Sequence, residues 1–180
     1  MKQPIVLSYV QVEPLLLARQ RGEQFVTIST DLGRSTVTAA LTPAGVTFPT
    51  GERLNWQNVA KIKKSHANCF VIEDESIKSI QVFSEHTNRV CSLFPTRRTP
   101  SMLIAGFTMH RIVDIDPMED TLKKVATIAP LTGRVLDTAT GLGYTAIEAA
   151  KTAEPAGSVA GSGSSAAAED EHRKKFTKKY

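Results

Sequence analysis

The residues whose types and spacing suggest chemistry lie between positions 134 and 150. A two-residue apolar run, Val135–Leu136, is typical of a buried strand, and Asp137 follows at its end. Gly141 and Gly143 come next, ahead of an alanine-rich segment that favours a helix. A glycine turn lets a ligand approach the backbone closely because glycine has no Cβ, and a helix N-terminus directs N–H groups at an anion. The segment therefore predicts a ligand site with the Asp137 carboxylate beside the ligand.

The element that must position this strand is a helix that begins after residue 116. Asp116 is a predicted N-cap, Pro117 occupies the first helical position, and Glu119 follows three residues after the cap, which is the pattern of a capping box. Residues 114–154 are therefore predicted to form a helix–strand–helix unit, the start of an α/β layer. The apolar face expected on the helix comprises Met118, Leu122, Val125 and Ala129. The side chains expected to supply the buried surface of the unit are Leu122, Val125, Val135, Leu136 and Ile147.

The preceding residues, 1–113, alternate short strand-like runs with turn signals. This spacing predicts about seven or eight short strands and two small helices in a compact, mostly antiparallel, β-rich domain. Gly106 lies inside an apolar run and indicates a bulge or a close backbone contact there. The predicted strands span residues 5–10, 25–28, 35–41, 46–48, 69–72, 77–83, 90–94 and 102–109, and the predicted helices span 15–21 and 55–63.

Composition and charge exclude few classes of function. The chain has 180 residues, 41% of them hydrophobic, and a formal net charge of +4. Much of the basic excess lies in residues 173–179, so nucleic-acid binding is left open but is not indicated. No apolar run approaches the roughly 20 residues of a membrane span, and no signal peptide is recognised, so we expect a cytoplasmic protein. Residues 155–180 are rich in Ala, Gly and Ser and then charged, which predicts a disordered tail.

The cysteine and histidine residues give no metal-binding pattern. Cys69 and Cys91 are far apart in sequence and form no CxxC motif, so they are two buried free thiols in a reducing compartment or, as the alternative, a disulfide. His66 and His172 have no neighbours at ligand spacing, and we therefore predict no metal site. His110 precedes the helix–strand–helix unit, where it either faces a ligand cleft or is a structural histidine.

The run from Leu136 to Ala146 resembles motif I of the class I S-adenosylmethionine-dependent methyltransferases. In that family an acidic residue ends the first strand, and a Gly-x-Gly loop cradles the methionine part of the cofactor. A third glycine that is usual in the family falls at Ala139. The resemblance implies a cofactor-binding set of Asp137, Thr138, Thr140, Gly141, Leu142, Gly143 and Tyr144.

The wider chain resembles the uncharacterised methyltransferase-like proteins typical of archaea, which place a small β-rich domain before the methyltransferase domain. The matching runs are 5–9, 83–90, 109–112 and 136–146, and together they cover roughly the first 150 residues. The resemblance, together with the tail predicted from composition, implies an α+β chain with three parts. These are a mostly antiparallel β-rich domain (1–113), the first helix–strand–helix unit of a Rossmann-like methyltransferase fold (114–154) and a disordered tail (155–180).

The function implied by the resemblance is S-adenosylmethionine-dependent methyl transfer to an acceptor that the sequence does not specify. The resemblance identifies no catalytic residue. It also stops after motif I, which implies a truncated catalytic domain. The acidic residue that binds a ribose in related folds has no counterpart near residues 157–160. We therefore expect the unit to need a partner or self-association to complete its α/β layer. The alternatives are a non-enzymatic fragment or interaction module, and an enzyme similar to the polyamine aminopropyltransferases.

Overall fold

The computed structural model describes residues 3–138 and 140–152, and the backbone of residues 158–161. Its described residues fall into two compact units. Unit 1 comprises those of Met1–Gln81 and Ser92–Pro100, and unit 2 comprises those of Val82–Cys91 and Ser101–Tyr180. The predicted boundary between residues 113 and 114 lies inside unit 2 and does not coincide with this division.

The described residues form four helices and thirteen strands, a mixed α+β structure. The helices are α1 (Tyr9–Gln20), α2 (Trp56–Lys64), α3 (Pro117–Ile128) and α4 (Tyr144–Thr152). The strands are β1 (Ile5–Leu7), β2 (Phe25–Ile28), β3 (Val37–Leu41), β4 (Gly45–Thr47), β5 (Arg53–Asn55), β6 (Phe70–Glu73), β7 (Ser76–Ser79), β8 (Gln81–Ser84), β9 (Arg89–Phe94), β10 (Ser101–Ile104), β11 (Phe107–Thr108), β12 (Arg134–Asp137) and β13 (Ser158–Gly161).

The prediction of a mostly antiparallel, β-rich N-terminal part is confirmed. The sheets before α3 have the strand orders β1–β6–β7, β2–β3–β4–β5 and β11–β10–β9–β8, and the strand registers described for them are antiparallel. Unit 1 has its own core, in which the side chains of α1 and α2 pack with those of the strands. Fully buried members of this core include Leu7, Leu15, Leu54 and Ile62.

The first predicted strand is shorter than its apolar pattern indicated, because a capping box starts a helix inside it. Ser8 is the N-cap of α1, and its hydroxyl accepts a hydrogen bond from the Val10 N–H at 3.2 Å. The Ser8 N–H donates to Oε1 of Gln11 at 3.0 Å, which completes the box. The helix therefore begins at Tyr9, and Pro14 lies within it rather than in its first turn.

The predicted strand over residues 102–109 is instead a hairpin of β10 and β11. Ala105 and Gly106, the two residues between these strands, have φ angles of 50° and 86°. Positive φ at both central residues is typical of a type I′ turn, the turn that matches the twist of paired strands. The turn sets a register that pairs Ile104 with Phe107 and Leu103 with Thr108. The glycine thus marks a chain reversal and not a bulge.

Helix α3 has the predicted N-cap, but its buried face is shifted around the helix and shares only Val125 with the predicted face. The Asp116 carboxylate accepts a hydrogen bond from the Met118 N–H at 2.9 Å. The buried residues of the helix are Pro117, Thr121 and Val125, at successive spacings of four. Thr121 can be buried because its hydroxyl donates to the Pro117 carbonyl at 2.8 Å. Leu122, which was expected in the buried face, is exposed.

Strand β12 presents one apolar side chain to the helices and one to solvent. Val135 packs against the small core of unit 2, formed by Val125, Leu131 and Ala149. Successive side chains of a strand point to opposite faces, and Leu136 accordingly remains 65% exposed. Ile147 of α4 is also exposed, at 44%. The expectation that Leu136, Ile147 and Leu122 supply buried surface is therefore wrong for this unit.

A second parallel strand follows α4. The backbone of β13 pairs in parallel with β12, so that Val135 lies opposite Val159 and Asp137 opposite Gly161. This four-residue strand lies inside the segment predicted to be disordered, and the structure differs from the prediction there. Backbone ladder bonds do not require apolar side chains, which is why composition gave no sign of the strand. The other residues of the predicted tail, 155–157 and 162–180, lie outside the described residues.

Beyond the β12–β13 pair, the described residues contain no parallel sheet of Rossmann type. The described helices also include none that is long and apolar enough to cross a membrane.

Candidate functional site

The candidate site is the turn between β12 and α4, held by hydrogen bonds within the turn itself. The Thr140 hydroxyl donates to the Asp137 carbonyl at 3.2 Å. The Gly143 N–H donates to the Thr140 carbonyl at 2.7 Å. The Ile147 N–H then donates to the Gly143 carbonyl at 2.8 Å, which is an α-helical spacing and marks the start of α4. The N–H groups that precede Ile147 in the first turn therefore point out of the N-terminal end of the helix.

Both glycines of the turn adopt backbone conformations that other residues rarely take. Gly141 has a φ angle of 53° and Gly143 a φ angle of 83°. A side chain at such angles meets steric strain, which explains the need for glycine at these two positions. Gly143 is also buried, whereas Gly141 and Leu142 are half-buried. The turn thus connects the end of β12 to Tyr144, the first residue of α4, through two glycines that have no side chain.

Asp137 places a carboxylate at the foot of this turn. Its position is the carboxyl end of β12, directly before the turn begins. The side chain is half-buried, and its Oδ2 atom is shielded from solvent. Thr138, the next residue, is exposed. A shielded carboxyl group and a helix N-terminus, which carry opposite electrostatic character, therefore flank the same short turn.

His110 contacts the candidate site through an aromatic pair. Its ring centroid lies 5.1 Å from that of Tyr144, with an angle of 44° between the two planes. This is the distance range in which aromatic rings attract one another. On the other side, Nδ1 of His110 lies 3.1 Å from Oγ of Ser101, a fully buried hydroxyl. His110 therefore joins the β10–β11 hairpin to the first residue of α4.

The surroundings of His110 favour the neutral imidazole. Burial lowers its pKa below the ordinary value of 6.5, and the Lys124 ammonium lowers the pKa further. The Asp120 carboxylate acts in the opposite direction without cancelling these effects. Lys124 and Asp120 are themselves an ion pair on α3, with Nζ and Oδ2 2.6 Å apart.

All seven predicted site residues lie in or next to this one turn. Asp137, Thr138, Thr140, Gly141, Leu142, Gly143 and Tyr144 are consecutive along the turn except for Ala139, which lies outside the described residues. Sequence reasoning left open whether His110 faces a cleft or is structural, and the structure places it against Tyr144. It missed Ser101 entirely. Ser101 is recognised only from the register of the hairpin, which the structure supplies. The Met109 N–H donates to the Met102 carbonyl, so the next facing pair is Ser101 and His110.

The His, Cys, Asp and Glu residues of the described ranges were compared with the groupings that hold metal ions. No cluster of three or more His, Cys, Asp or Glu residues suited to a metal ion occurs among residues 3–138 and 140–152. Cys69 and Cys91 are buried free thiols, as the first of the two sequence interpretations has it.

Comparison with known proteins gives one distant relative and no family. No family model matches the chain. The chain is 34% identical over 103 residues to an uncharacterized protein of Methanocaldococcus jannaschii. The match covers 57% of this chain and 34% of that protein, so the chain spans about one third of the length of the curated relative it matches. The name of this relative states no activity, and the methyltransferase expectation stays a prediction.

Proposed function

We propose that the turn from Asp137 to Tyr144 binds the methionine part of S-adenosylmethionine, and that the chain is related to the class I methyltransferases. The observation that carries this proposal is the pair of glycines at φ 53° and 83° between a parallel strand and a helix N-terminus. The order β12–turn–α4–β13 is a βαβ arrangement, the kind of unit in which nucleotide-containing cofactors bind at the strand's carboxyl end.

The charges of the turn fit the cofactor's amino-acid end. S-adenosylmethionine carries an ammonium, a sulfonium and a carboxylate close together. The Asp137 carboxylate suits the cationic groups, and the N-terminal end of α4 suits the carboxylate. The buried Gly143 adds no Cβ, so that backbone atoms can line the cradle. When bound, the cofactor would supply an electrophilic methyl group to an acceptor whose chemistry the described residues do not identify.

The same unit predicts weak cofactor binding by this chain. The acidic residue that holds ribose hydroxyls in dinucleotide folds follows the second strand. Strand β13 ends at Gly161, and the sequence continues Ser162-Gly163-Ser164-Ser165 with no acid. The adenosine half of the cofactor therefore lacks this partner, and its affinity rests mainly on the methionine half.

Calorimetric titration of the full chain tests the proposal. We expect S-adenosylmethionine and S-adenosylhomocysteine to bind with millimolar or tighter affinity. Asp137→Asn removes the charge while keeping the shape, and we expect it to weaken binding of the cationic cofactor about tenfold, as for hydrogen bonds to charged groups worth about 1.5–3 kcal/mol. Asp114→Asn is the matched control, because Asp114 is exposed, lies in the same unit and has a φ angle of 62° that Asn also accepts. Absence of binding by the wild-type chain at millimolar ligand would refute the proposal.

A second candidate function, a non-enzymatic interaction module, is favoured by the exposed apolar residues of unit 2. Leu136 and Ile147 are 65% and 44% exposed, on the strand and the helix that flank the candidate turn. Sedimentation analysis separates the two functions: concentration-dependent association without cofactor binding favours the interaction module. Product analysis with labelled cofactor distinguishes aminopropyl from methyl transfer if an acceptor is found.

A further inference from the structure

We propose that His110 is a positioning residue for the candidate turn: held by the Ser101 hydroxyl, its imidazole fixes the Tyr144 ring and with it the backbone of Gly143 at the start of α4. The proposal rests on the proposed function for the identity of the ligand, but its structural half is testable without any ligand.

The first step is the hairpin that brings Ser101 to His110. The left-handed conformations of Ala105 and Gly106 close a two-residue turn, and such a turn leaves the register no freedom. The backbone bond from Met109 to Met102, 2.8 Å long, extends that register beyond β11. Ser101 and His110 consequently face each other, and their side chains meet at 3.1 Å.

The second step is the contact between His110 and the turn. Tyr144 directly follows Gly143, and the Gly143 carbonyl accepts the first helical bond of α4. Tyr144 thus shares a peptide unit with Gly143, whose N–H and carbonyl both take part in the turn, so that a shift of the Tyr144 backbone moves the turn. The His110 ring, 5.1 Å from Tyr144 and anchored to the buried Ser101, limits that displacement. Holding the side chain of Tyr144, the first residue of α4, in place is a way to preorganise the backbone of the turn before a ligand binds.

The third step is the effect of protonation. The groups that face His110 are Ser101 from β10, Tyr144 from α4, and Asp120 and Lys124 from α3. Only the last two are charged near neutral pH, and they already pair with each other at 2.6 Å. An imidazolium would be repelled by Lys124 and would compete with it for Asp120, so protonation disturbs the contact. Because burial and Lys124 lower the pKa of His110 below 6.5, the neutral form and the intact contact still prevail at pH 6.5 and are lost only as the pH falls through the lowered pKa.

The ligand-free experiment follows the backbone amides of Gly143 and Ile147 by ¹⁵N NMR of the full chain between pH 4.5 and 8. We expect both amide shifts to titrate together with the His110 ring in the wild type. His110→Phe keeps an aromatic ring against Tyr144 but cannot bond to Ser101, and should abolish this titration. His86→Phe is the matched control, because His86 is exposed in the β8–β9 turn of the same unit. Gly143 and Ile147 amides that do not follow the His110 titration would overturn the proposal.

The ligand-bound experiment measures the dissociation constant of S-adenosylhomocysteine over the same pH range. We expect the wild-type affinity to fall at least about fivefold as the pH drops through the His110 titration, the lower end of typical coupling between sites. His110→Phe should bind weakly at every pH, and His110→Asn, which restores a hydrogen-bonding group near the Nδ1 position, should recover part of the affinity at pH 8. Equal, pH-independent affinity of wild type and His110→Phe overturns positioning. No binding by any variant, with the NMR titration intact, refutes the proposed function and leaves the positioning role supported.

Discussion

Replacing Gly143 with alanine separates the strain of the turn from its role in binding. At a φ angle of 83° an alanine meets the left-handed penalty, so we expect Gly143→Ala to lower the free energy of unfolding by about 1–2 kcal/mol. For a chain of this size about 1 kcal/mol corresponds to a shift of about 2–4 °C in the midpoint of thermal unfolding. The added methyl group also projects from a buried residue of the cradle, and cofactor affinity should fall at least about tenfold, or 1.4 kcal/mol.

Gly133→Ala is the matched control for this prediction. Gly133 has a φ angle of 71°, lies in the same unit, and an added Cβ would meet no atom within 4 Å. Its replacement should cost a similar amount of stability and leave affinity unchanged. Differential scanning calorimetry gives the unfolding midpoint, and titration with S-adenosylmethionine gives the affinity. The reasoning fails if Gly143→Ala binds as tightly as the wild type, or if Gly133→Ala loses binding to the same extent.

Two further predictions concern burial. In a denaturant titration, Leu136→Ser should change the free energy of unfolding by no more than about 0.5 kcal/mol, as for other exposed positions. Val125→Ala, at a site only 4% exposed, should lower the free energy of unfolding by at least about 1 kcal/mol. A larger loss for Leu136→Ser would show that its side chain is covered. Burial raises the pKa of the Cys69 thiol to about 12. Iodoacetamide at pH 8 should therefore label Cys69 in denaturant and not in the folded chain, as measured by peptide mass spectrometry. Labelling at equal rates in both states would contradict the structure.

The candidate turn was accessible from sequence because its determinants are local. Gly141 and Gly143, which are separated by a single residue, follow the apolar pair Val135–Leu136 and the acidic Asp137. This local pattern specifies a strand end and a tight turn without help from the rest of the chain. The Asp116 cap of α3 is local in the same sense, since the carboxylate bonds to an N–H two residues away. In both cases the determinants lie within a few residues of one another along the chain, which is why the sequence alone indicates them.

The contacts of His110 were not accessible, because they depend on a distant register. That register is fixed by Ala105 in a left-handed conformation, and alanine gives no sequence signal for such a backbone angle. The buried face of α3 was mispredicted for a related reason. Thr121 reads as polar, yet its bond to the Pro117 carbonyl satisfies the hydroxyl and lets it replace Leu122 in the interior. Strand β13 shows the same limit, since backbone pairing leaves no trace in composition.

The interleaving of the two units has a consequence for anyone who dissects this protein. The chain passes from one unit to the other after residues 81, 91 and 100. No single cut can therefore release either unit whole: a piece starting at Ser101 lacks the β8–β9 hairpin that continues its sheet, and a piece ending at Gln81 lacks residues 92–100. During synthesis the hairpin also emerges before the strand it pairs with, so unit 2 can acquire its sheet only after unit 1 has been completely translated. Each unit consists of two segments of the chain, so studying one unit separately requires co-expression of its two segments rather than a truncation.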